Sequence, residues 1–339
     1  MVKYDLALST GMHFSVDGIC AAVLMTGTHL DLHPDQIIFG FCLYNLIAFG
    51  TQFLVGLFLD KYPKLIKKAL SLSWILLILG ALPLFPFNFQ ALTLGCGNSL
   101  FHVAAGSLIL RRYQTCRQLG LFVSSGAIGL ALGLAELVPA IVFIGLYSLL
   151  LLLFKETIPS LSQDLSPSSF KDLKNNPQGL SLTLIFTALL LMLCVTVRGF
   201  GGNNPETDYV LLFPLTYALG KVLGGVCCDY LGYRRTILLI FLLSFLALQA
   251  QGLLPSLVLI LSFNMTMPLT LRLLHWCNIN KPGLMFGLAA GCLLPGFFFM
   301  DFMQPDLRFL AVGQFLILVL AGYLVRRPET QERMLKWPN

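Results

Sequence analysis

The chain has 339 residues, of which 57% are hydrophobic and only 11% charged, and its mean hydropathy is +0.81. A soluble domain holds about 25% charged residues, so this composition excludes a surface covered by water and leaves lipid as the covering. The net charge of +6 comes from short loops between apolar segments and does not indicate a nucleic-acid partner.

Apolar segments follow one another along almost the whole chain. A membrane helix needs about 20 mostly apolar residues, and twelve segments meet this requirement. The predicted spans are 6–27, 36–59, 68–86, 89–110, 118–135, 137–154, 179–201, 208–228, 234–252, 254–274, 282–300 and 307–325. Tight turns near Pro139 and Pro255 leave ten or eleven spans as alternatives. We therefore predict an all-α integral membrane protein without a soluble domain on which an enzyme could be built.

One long polar stretch interrupts these segments. It runs from Lys155 to Gln178 and contains Ser, Pro, Asn, Asp and Lys without apolar periodicity, which is typical of a linker. The predicted parts are an N-terminal six-helix half (1–154), a cytoplasmic linker (155–178), a C-terminal six-helix half (179–325) and a cytoplasmic tail (326–339).

Lysine and arginine alternate between the two ends of the predicted helices. With the N-terminus inside, 19 of the 22 basic residues fall in inner segments, and only Arg198 and Arg308 fall in outer ones. Cytoplasmic loops carry such an excess. The distribution predicts a cell-membrane protein with both termini in the cytoplasm.

The nine cysteines suggest neither disulfides nor a metal cluster. Most lie inside apolar runs, and there is no C-x-x-C pair. Cys227 and Cys228 are adjacent, which is poor geometry for a shared bond. We interpret them as small apolar side chains and expect no cofactor.

A short motif occurs twice at the predicted inner side. Gly56 and Asp60 follow the G-x-x-x-D pattern, and Gly225 and Asp229 repeat it 169 residues later, each copy followed by basic residues. A weaker echo places Asn98 and Asn264 at corresponding positions. Two echoes at nearly the same offset indicate a duplicated six-helix unit, which is one known transporter architecture.

Here the sequence resembles the major facilitator superfamily, whose members carry G-x-x-x-D-(R/K)-x-G-(R/K)-(R/K) after the second helix and often after the eighth. The first copy departs from this pattern with Pro63 in place of Gly. The resemblance implies twelve helices in two pseudo-symmetric halves. The implied gating residues are Gly56, Asp60, Lys64, Gly225, Asp229, Gly232, Arg234 and Arg235.

The resemblance also implies what the two aspartates contact. Asp60 would meet the start of the eleventh helix near Pro282, and Asp229 would meet the fifth helix near Gln118. A carboxylate is stabilised at a helix N-terminus, so these contacts would hold the inner side closed. Glycine rows in the fifth and eleventh helices allow close helix contact, which suits sliding halves and plain tight packing almost equally. The rows are Gly126, Gly129 and Gly133, and Gly283, Gly287 and Gly291.

Polar side chains at membrane depth are functional candidates, because burying them in lipid is costly. His13 and Asp17 are four residues apart and share one helix face. The candidates for substrate binding or proton coupling are His13, Asp17, Asn98, His102, Lys221, Arg198 and Asn264. In the resembled fold the first, fourth, seventh and tenth helices line a central cavity. Strings around His13 and Asn98 loosely resemble the fosmidomycin-resistance-type branch of that superfamily.

These residues predict a secondary active transporter of a small organic molecule that works by alternating access. Asp17, aided by His13 or His102, would take up and release a proton. The cationic candidates Lys221 and Arg198 outnumber the one anionic candidate, Asp17, which favours a substrate with an anionic group. We expect the protein to be a monomer. Two alternatives stay open. One is a divalent transition-metal transporter, if His13, Asp17 and His102 converge within about 4–5 Å; the other is a non-transporting membrane receptor.

Overall fold

The computed structural model describes residues 2–157, 182–200, 211–250, 252–303 and 307–324. The described part contains α-helices and one short 3-10 helix at Pro63–Leu65, and no strand. In chain order the α-helices are α1 (Val2–Thr28), α2 (Pro34–Gly50), α3 (Gln52–Lys61), α4 (Ile66–Ala81), α5 (Phe87–Arg112), α6 (Cys116–Leu134), α7 (Ala140–Thr157), α8 (Leu182–Phe200), α9 (Leu212–Leu231), α10 (Tyr233–Ala247), α11 (Leu253–Cys277), α12 (Pro282–Gly291), α13 (Leu294–Met303) and α14 (Leu307–Leu324).

Every predicted span contains helix, and the doubtful turns separate distinct helices. α6 ends at Leu134 before α7, and α10 ends at Ala247 before α11. By length and composition, six segments of the described chain are able to cross a membrane, and three shorter helices are also apolar. The count of twelve spans stays a prediction.

Two predicted spans are interrupted. The second divides at Thr51 into α2 and α3, where the Thr51 hydroxyl donates to the carbonyl of Ile47 at 2.7 Å and lies 2.8 Å from the Ser99 hydroxyl. A hydroxyl that bonds back to the preceding turn bends a helix. The eleventh divides between Gly291 and Leu294 into α12 and α13.

The predicted linker begins inside a helix. α7 continues to Thr157, beyond the predicted end of the sixth span at 154. The remainder of the linker 155–178 and the tail 326–339 lie outside the described residues, so the division into two halves also stays a prediction.

The outer surface of the helices is strongly apolar. Large side chains such as Ile38, Leu54, Leu152 and Leu246 are more than half exposed. Soluble proteins rarely expose such extensive apolar surface, whereas lipid tails are a favourable environment for it. Together with the six membrane-crossing segments, this surface makes the chain a multi-pass membrane protein.

For description we divide the helices by chain order into two groups, the N-terminal helices α1–α7 and the C-terminal helices α8–α14. Within the first group α1 packs on α6 and α7, and α5 packs on α2 and α4; within the second α9 and α10 pack on α11. The groups meet mainly where α6 packs on α9 and α3 packs on α12.

These two contacts are tightest at one end of the bundle, which we call the gate end and define by Asp60 and Asp229. A Cβ added at Gly56 would overlap the backbone of Gly283, whereas one at Gly291 would lie 3.6 Å from the Phe49 carbonyl oxygen. Glycines permit such close helix contact. The α3–α12 pair therefore diverges away from the gate end.

The glycine row of α6 packs inside the N-terminal group, which agrees with the tight-packing interpretation and not with sliding halves. Gly129 lies against the Phe14 carbonyl and Gly133 against Gly18 and Ala21, so this row seats α1 inside the N-terminal group. The contact of α6 with α9 uses Gly120 instead, which lies against the Lys221 carbonyl. Periodicity identified a packing face, but it could not identify the neighbouring helix.

Candidate functional site

A cavity of about 270 Å³ lies between the two helix groups. Its lining includes all seven side chains that were predicted to act at membrane depth: His13, Asp17, Asn98, His102, Arg198, Lys221 and Asn264. α1 and α5 supply the first four, and α8, α9 and α11 supply the others. The structure thus brings together residues that are separated by up to 251 positions in the chain.

Asp17 and two histidines form a compact cluster on the N-terminal wall. The Nε2 atoms of His13 and His102 are 2.8 Å apart. Asp17 Oδ2 lies 3.3 Å from His13 Nε2, and Asp17 Oδ1 lies 3.5 Å from His102 Nε2. The Asp17 carboxylate is mostly buried, with 18% of its side chain exposed.

The backbone determines which histidine nitrogens carry protons. His13 Nδ1 lies 2.7 Å from the Phe122 carbonyl oxygen, and His102 Nδ1 lies 3.0 Å from that of Asn98. A carbonyl oxygen only accepts hydrogen bonds, so both Nδ1 atoms are donors. In a neutral imidazole the other nitrogen is then an acceptor. Two acceptors do not attract each other at 2.8 Å, so this contact is a hydrogen bond when one of the two imidazoles carries a second proton.

The cluster therefore has a natural charge balance. A proton shared by His13 and His102 gives the pair one positive charge beside the negative Asp17 carboxylate. The Asn98 amide also donates to Asp17 Oδ1, at 3.2 Å. Gly126 of α6 provides the space, because a Cβ at this position would overlap Asp17 Oδ2 and His13 Nε2.

The C-terminal wall carries cations and amides. Arg198 is 6% exposed, and its guanidinium donates to the Thr270 hydroxyl at 3.3 Å. Lys221 is partly buried and interacts electrostatically with Arg198 and Asp17. The Asn264 amide donates to the Ile260 carbonyl at 2.9 Å, inside its own helix.

Sequence reasoning missed three polar residues of the lining: Tyr44, Gln52 and Tyr217. Gln52 was detectable, because it lies four residues before Gly56 just as Lys221 lies four residues before Gly225. Aligning the two copies of the motif would have marked it. The two tyrosines have no comparable signal, since an amphipathic ring in a membrane helix is as typical of packing as of a site.

At the gate end, Asp60 accepts hydrogen bonds from the start of α12, as the resemblance implied. The backbone N–H groups of Gly283 and Leu284 donate to its two oxygens at 3.0 and 2.8 Å. Pro282 occupies the first turn of that helix, so these are its first available donors. Arg111 of α5 adds an ion pair of 2.8 Å, and its partner Asp60 is 5% exposed.

Asp229 occupies the corresponding position against α6. Its Oδ1 accepts from the Cys116 N–H at 2.8 Å and its Oδ2 from the Arg117 N–H at 3.0 Å, close to the Gln118 position that the resemblance implied. The Arg117 side chain approaches Asp229 only to 4.0 Å and is half exposed.

The basic residues of the motif do not reach the aspartates. Lys64, Arg234 and Arg235 are exposed at the gate end, and within the described residues the ion pairs of Asp60 and Asp229 are made with Arg111 and Arg117. Gly232 separates α9 from α10 with φ of 79°, a conformation that glycine adopts without strain.

The histidine–aspartate cluster also meets a metal-ligand criterion. One ligand atom from each of His13, Asp17 and His102 lies within 4.8 Å of the others. The spacing of the nitrogens is less suitable, because two histidine nitrogens on a tetrahedral ion at about 2.0–2.1 Å each would stand about 3.3 Å apart. The observed 2.8 Å suits a shared proton better.

Comparisons with known proteins fit this architecture. The E. coli fucose:proton symporter FucP is similar with a TM-score of 0.67 and 12% identity over 96% of this chain and 98% of that one. A structure of the major facilitator superfamily transporter FucP in the outward conformation is similar with a TM-score of 0.64 and 12% identity over the same shares. This chain has the major facilitator fold.

The sequence itself gives no such link. No protein-family model matches it, and no curated protein matches it. At 12% identity the likeness to FucP concerns the fold, and the resemblance to the fosmidomycin-resistance-type branch stays a prediction.

Proposed function

We propose that this protein is a proton-coupled secondary transporter that moves a small organic molecule by alternating access. Its twelve spans are the fourteen helices with α2–α3 and α12–α13 each counted once. The halves 1–154 and 179–325 form the two moving bodies, and the linker 155–178 joins them. The protein works as a monomer in the cell membrane, with both termini and the gate end in the cytoplasm.

One observation carries this proposal. Polar side chains from both helix groups line one cavity, and the same two groups are joined at one end by helix-terminus contacts of Asp60 and Asp229. In the resembled fold, a site between two bodies is exposed alternately as one end closes and the other opens. The similarity to a fucose:proton symporter supports the same interpretation.

The gate contacts are of a reversible kind. Each joins a carboxylate to backbone N–H groups across the two helix groups, and each is worth about 1 kcal/mol. Such contacts hold one end closed without making the open state inaccessible. Substrate and proton then shift the equilibrium between the closed and open states of the gate end, because each binds the two states with different affinity.

The proton is carried by the cluster of His13, His102 and Asp17. In this proposal one proton lies between the two imidazoles with Asp17 as the counter-ion, and the contacts of 2.8 Å between the Nε2 atoms and 3.3 Å to Asp17 support it. Loss of that proton leaves two acceptors in contact beside a carboxylate, so the cluster must rearrange when it releases the proton. This rearrangement at the cavity wall couples proton release to the substrate and to movement of α1 against α5.

A divalent transition-metal transporter is the second candidate, supported by the convergence of three ligand atoms within 4.8 Å. It requires the two histidine rings to move apart by about 0.5 Å and further ligands from water or the opposite wall. A non-transporting receptor on the same fold would bind without flux.

The test is transport in proteoliposomes that enclose a pH-sensitive dye. A panel of metabolites and of Zn²⁺ and Mn²⁺ is offered under an imposed pH gradient, and compounds that move are followed in counterflow. We expect the compound to move with protons, and Asp17→Asn to abolish proton movement while counterflow persists. Asp35→Asn is the matched control, because the Asp35 side chain is 86% exposed outside the cavity.

The alternatives give different results. Uptake of Zn²⁺ or Mn²⁺ that is lost in His13→Gln would replace the proposal with the metal transporter. Specific binding of a compound without any flux would favour the receptor. Flux that is indifferent to the pH gradient in both the parent and Asp17→Asn would retain the transporter and reject proton coupling.

A further inference from the structure

Two cations of the cavity wall have no carboxylate partner. Arg198 and Lys221 both line the cavity, and within the described residues no carboxylate oxygen lies within 4.0 Å of either. The Thr270 hydroxyl accepts one hydrogen bond from Arg198. A guanidinium has five N–H donors in a planar fork, so most of its capacity is unused.

The groups that face these cations do not supply the missing charge. Asp17 is within electrostatic range of Lys221 but already contacts His13, His102 and Asn98. Near Arg198 are the thiols of Cys194 and Cys292, which are not ion-pair partners. Buried cations are normally paired with anions. We therefore expect a bound anion to interact with Arg198 and Lys221.

The wall formed by the N-terminal helices contains two side-chain oxygens that lack hydrogen-bond donors. Gln52 is fully buried and Asn98 is 2% exposed. Their side-chain nitrogens donate to the Ala48 carbonyl and to Asp17, which fixes the amide orientation. The two remaining oxygens, Gln52 Oε1 and Asn98 Oδ1, have no hydrogen-bond partner among the described atoms. Both are buried in this conformation, so a donor in the cavity reaches them only after their side chains turn towards it. A buried acceptor without a donor costs about 1–3 kcal/mol.

We propose that the substrate is a small hydroxylated organic anion. Its carboxylate or phosphate group binds Arg198 and Lys221, and its hydroxyl or amino groups donate to Gln52 Oε1 and Asn98 Oδ1. Arginine matches both kinds of anion with a bidentate pair of hydrogen bonds. The cavity volume of about 270 Å³ limits the molecule to the size of a sugar acid or sugar phosphate. This inference rests on the proposed function and names its substrate class.

The test uses pairs of compounds that differ in one group. Thermal unfolding of the purified full chain is measured with glucuronate and glucose, gluconate and sorbitol, glucose 6-phosphate and glucose, and lactate and propionate. We expect at least one anion to raise the unfolding temperature by a few degrees while its neutral partner does not. Lactate against propionate tests the hydroxyl requirement separately.

Substitutions of Arg198 and Lys221 test whether these two side chains bind the anion. Lys221→Met and Arg198→Met should each weaken the binding anion at least about tenfold, and Lys221→Arg should retain most of the affinity. Lys68→Met, which removes an exposed lysine outside the cavity, should leave binding unchanged. Because an unpaired buried cation destabilises the empty protein, Lys221→Met should also unfold at a higher temperature than the parent without any ligand.

Several results would overturn the substrate class. They are equal stabilisation by the neutral partners, no anion effect in any pair, or anion binding that survives both methionine variants. Counterflow of a neutral or cationic compound would reject the anion while leaving the proton-coupled transporter intact. Loss of all flux with anion binding retained would instead reject the transporter. The two proposals therefore fail in different measurements.

Discussion

The two copies of the gating motif make the same backbone contact with different side-chain support. Asp60 and Asp229 each accept two N–H bonds from the first turn of a helix in the other group. Asp60 also has a buried ion pair with Arg111 at 2.8 Å. Asp229 has the half-exposed Arg117 at 4.0 Å and, within its own helix group, a longer-range electrostatic interaction with the buried Arg272.

This difference in side-chain support has a consequence in the proposed transport cycle, in which the two helix groups separate at the gate end. Asp60 and Arg111 both belong to the N-terminal helices, so their ion pair persists while the contact with α12 is lost. Asp229 and Arg117 lie in different groups, so separation removes every contact that the carboxylate makes with α6. In the proposed cycle one copy therefore keeps a direct ion pair in both states, and the other keeps only the longer-range attraction of Arg272.

The largest expected effect comes from the motif glycines, where the two copies are alike. A Cβ at Gly56 would overlap the Gly283 carbonyl, and one at Gly225 would lie 2.5 Å from the Cys116 carbonyl oxygen. We expect Gly56→Val and Gly225→Val to prevent closure of the gate end and to reduce transport to background. Maleimide labelling of Cys116 and Cys228, both buried here, should become faster.

Gly145→Val is the control for these variants, because a Cβ at Gly145 meets no atom within 4 Å. It should transport and label like the parent. Slow labelling in both motif variants would show that the gate closes without the glycines and that the steric argument is wrong.

Replacing each aspartate with asparagine should distinguish the two copies of the motif by the loss of unfolding free energy. Asp60→Asn leaves the Arg111 guanidinium buried without its counter-ion, which costs about 3 kcal/mol. Asp229→Asn breaks no ion pair shorter than 4.0 Å; it weakens a helix-terminus interaction of about 1 kcal/mol and the longer-range attraction of Arg272. Chemical unfolding of both variants in detergent gives the two free energies, and equal losses would contradict the comparison.

The Asp60–Arg111 pair should also show coupling. In a double-mutant cycle with Asp60→Asn and Arg111→Gln, we expect the double variant to lose less stability than the two single losses combined, with a coupling of about 1–3 kcal/mol. The same cycle with Asp229 and Arg117 is the internal reference. Coupling of similar size at both copies would reject the distinction.

The smallest effect is expected at Arg117. An ion pair with a half-exposed partner at 4.0 Å contributes about 0–1 kcal/mol. Arg117→Gln should therefore change the unfolding free energy by less than about 1 kcal/mol and leave transport nearly unchanged. A loss as large as that of Asp60→Asn would mean that the side chain, and not the Arg117 backbone N–H, holds Asp229.

The polar residues that the sequence singled out line one cavity, and they could be recognised because of the membrane. In lipid an ionisable side chain is so unfavourable that Asp17, Arg198 and Lys221 are conspicuous in their apolar segments. Gln52 was overlooked because one amide in an apolar run is a weaker signal, although the motif offset marks it. Arg111 was read only as a topology signal, since nothing local indicates that its partner is 51 residues away.

The amino-acid order by itself determined that the chain is a membrane protein, where its helices lie, and which polar residues are buried, because hydropathy is a local property that lipid enforces on every segment. Only the tertiary structure decided which of these residues meet. The contact of His13 with His102, the position of Arg198 and Lys221 across the cavity from Gln52, and the different support of Asp60 and Asp229 depend on distances of a few ångströms between distant segments. Those distances follow from helix packing, which local patterns do not specify.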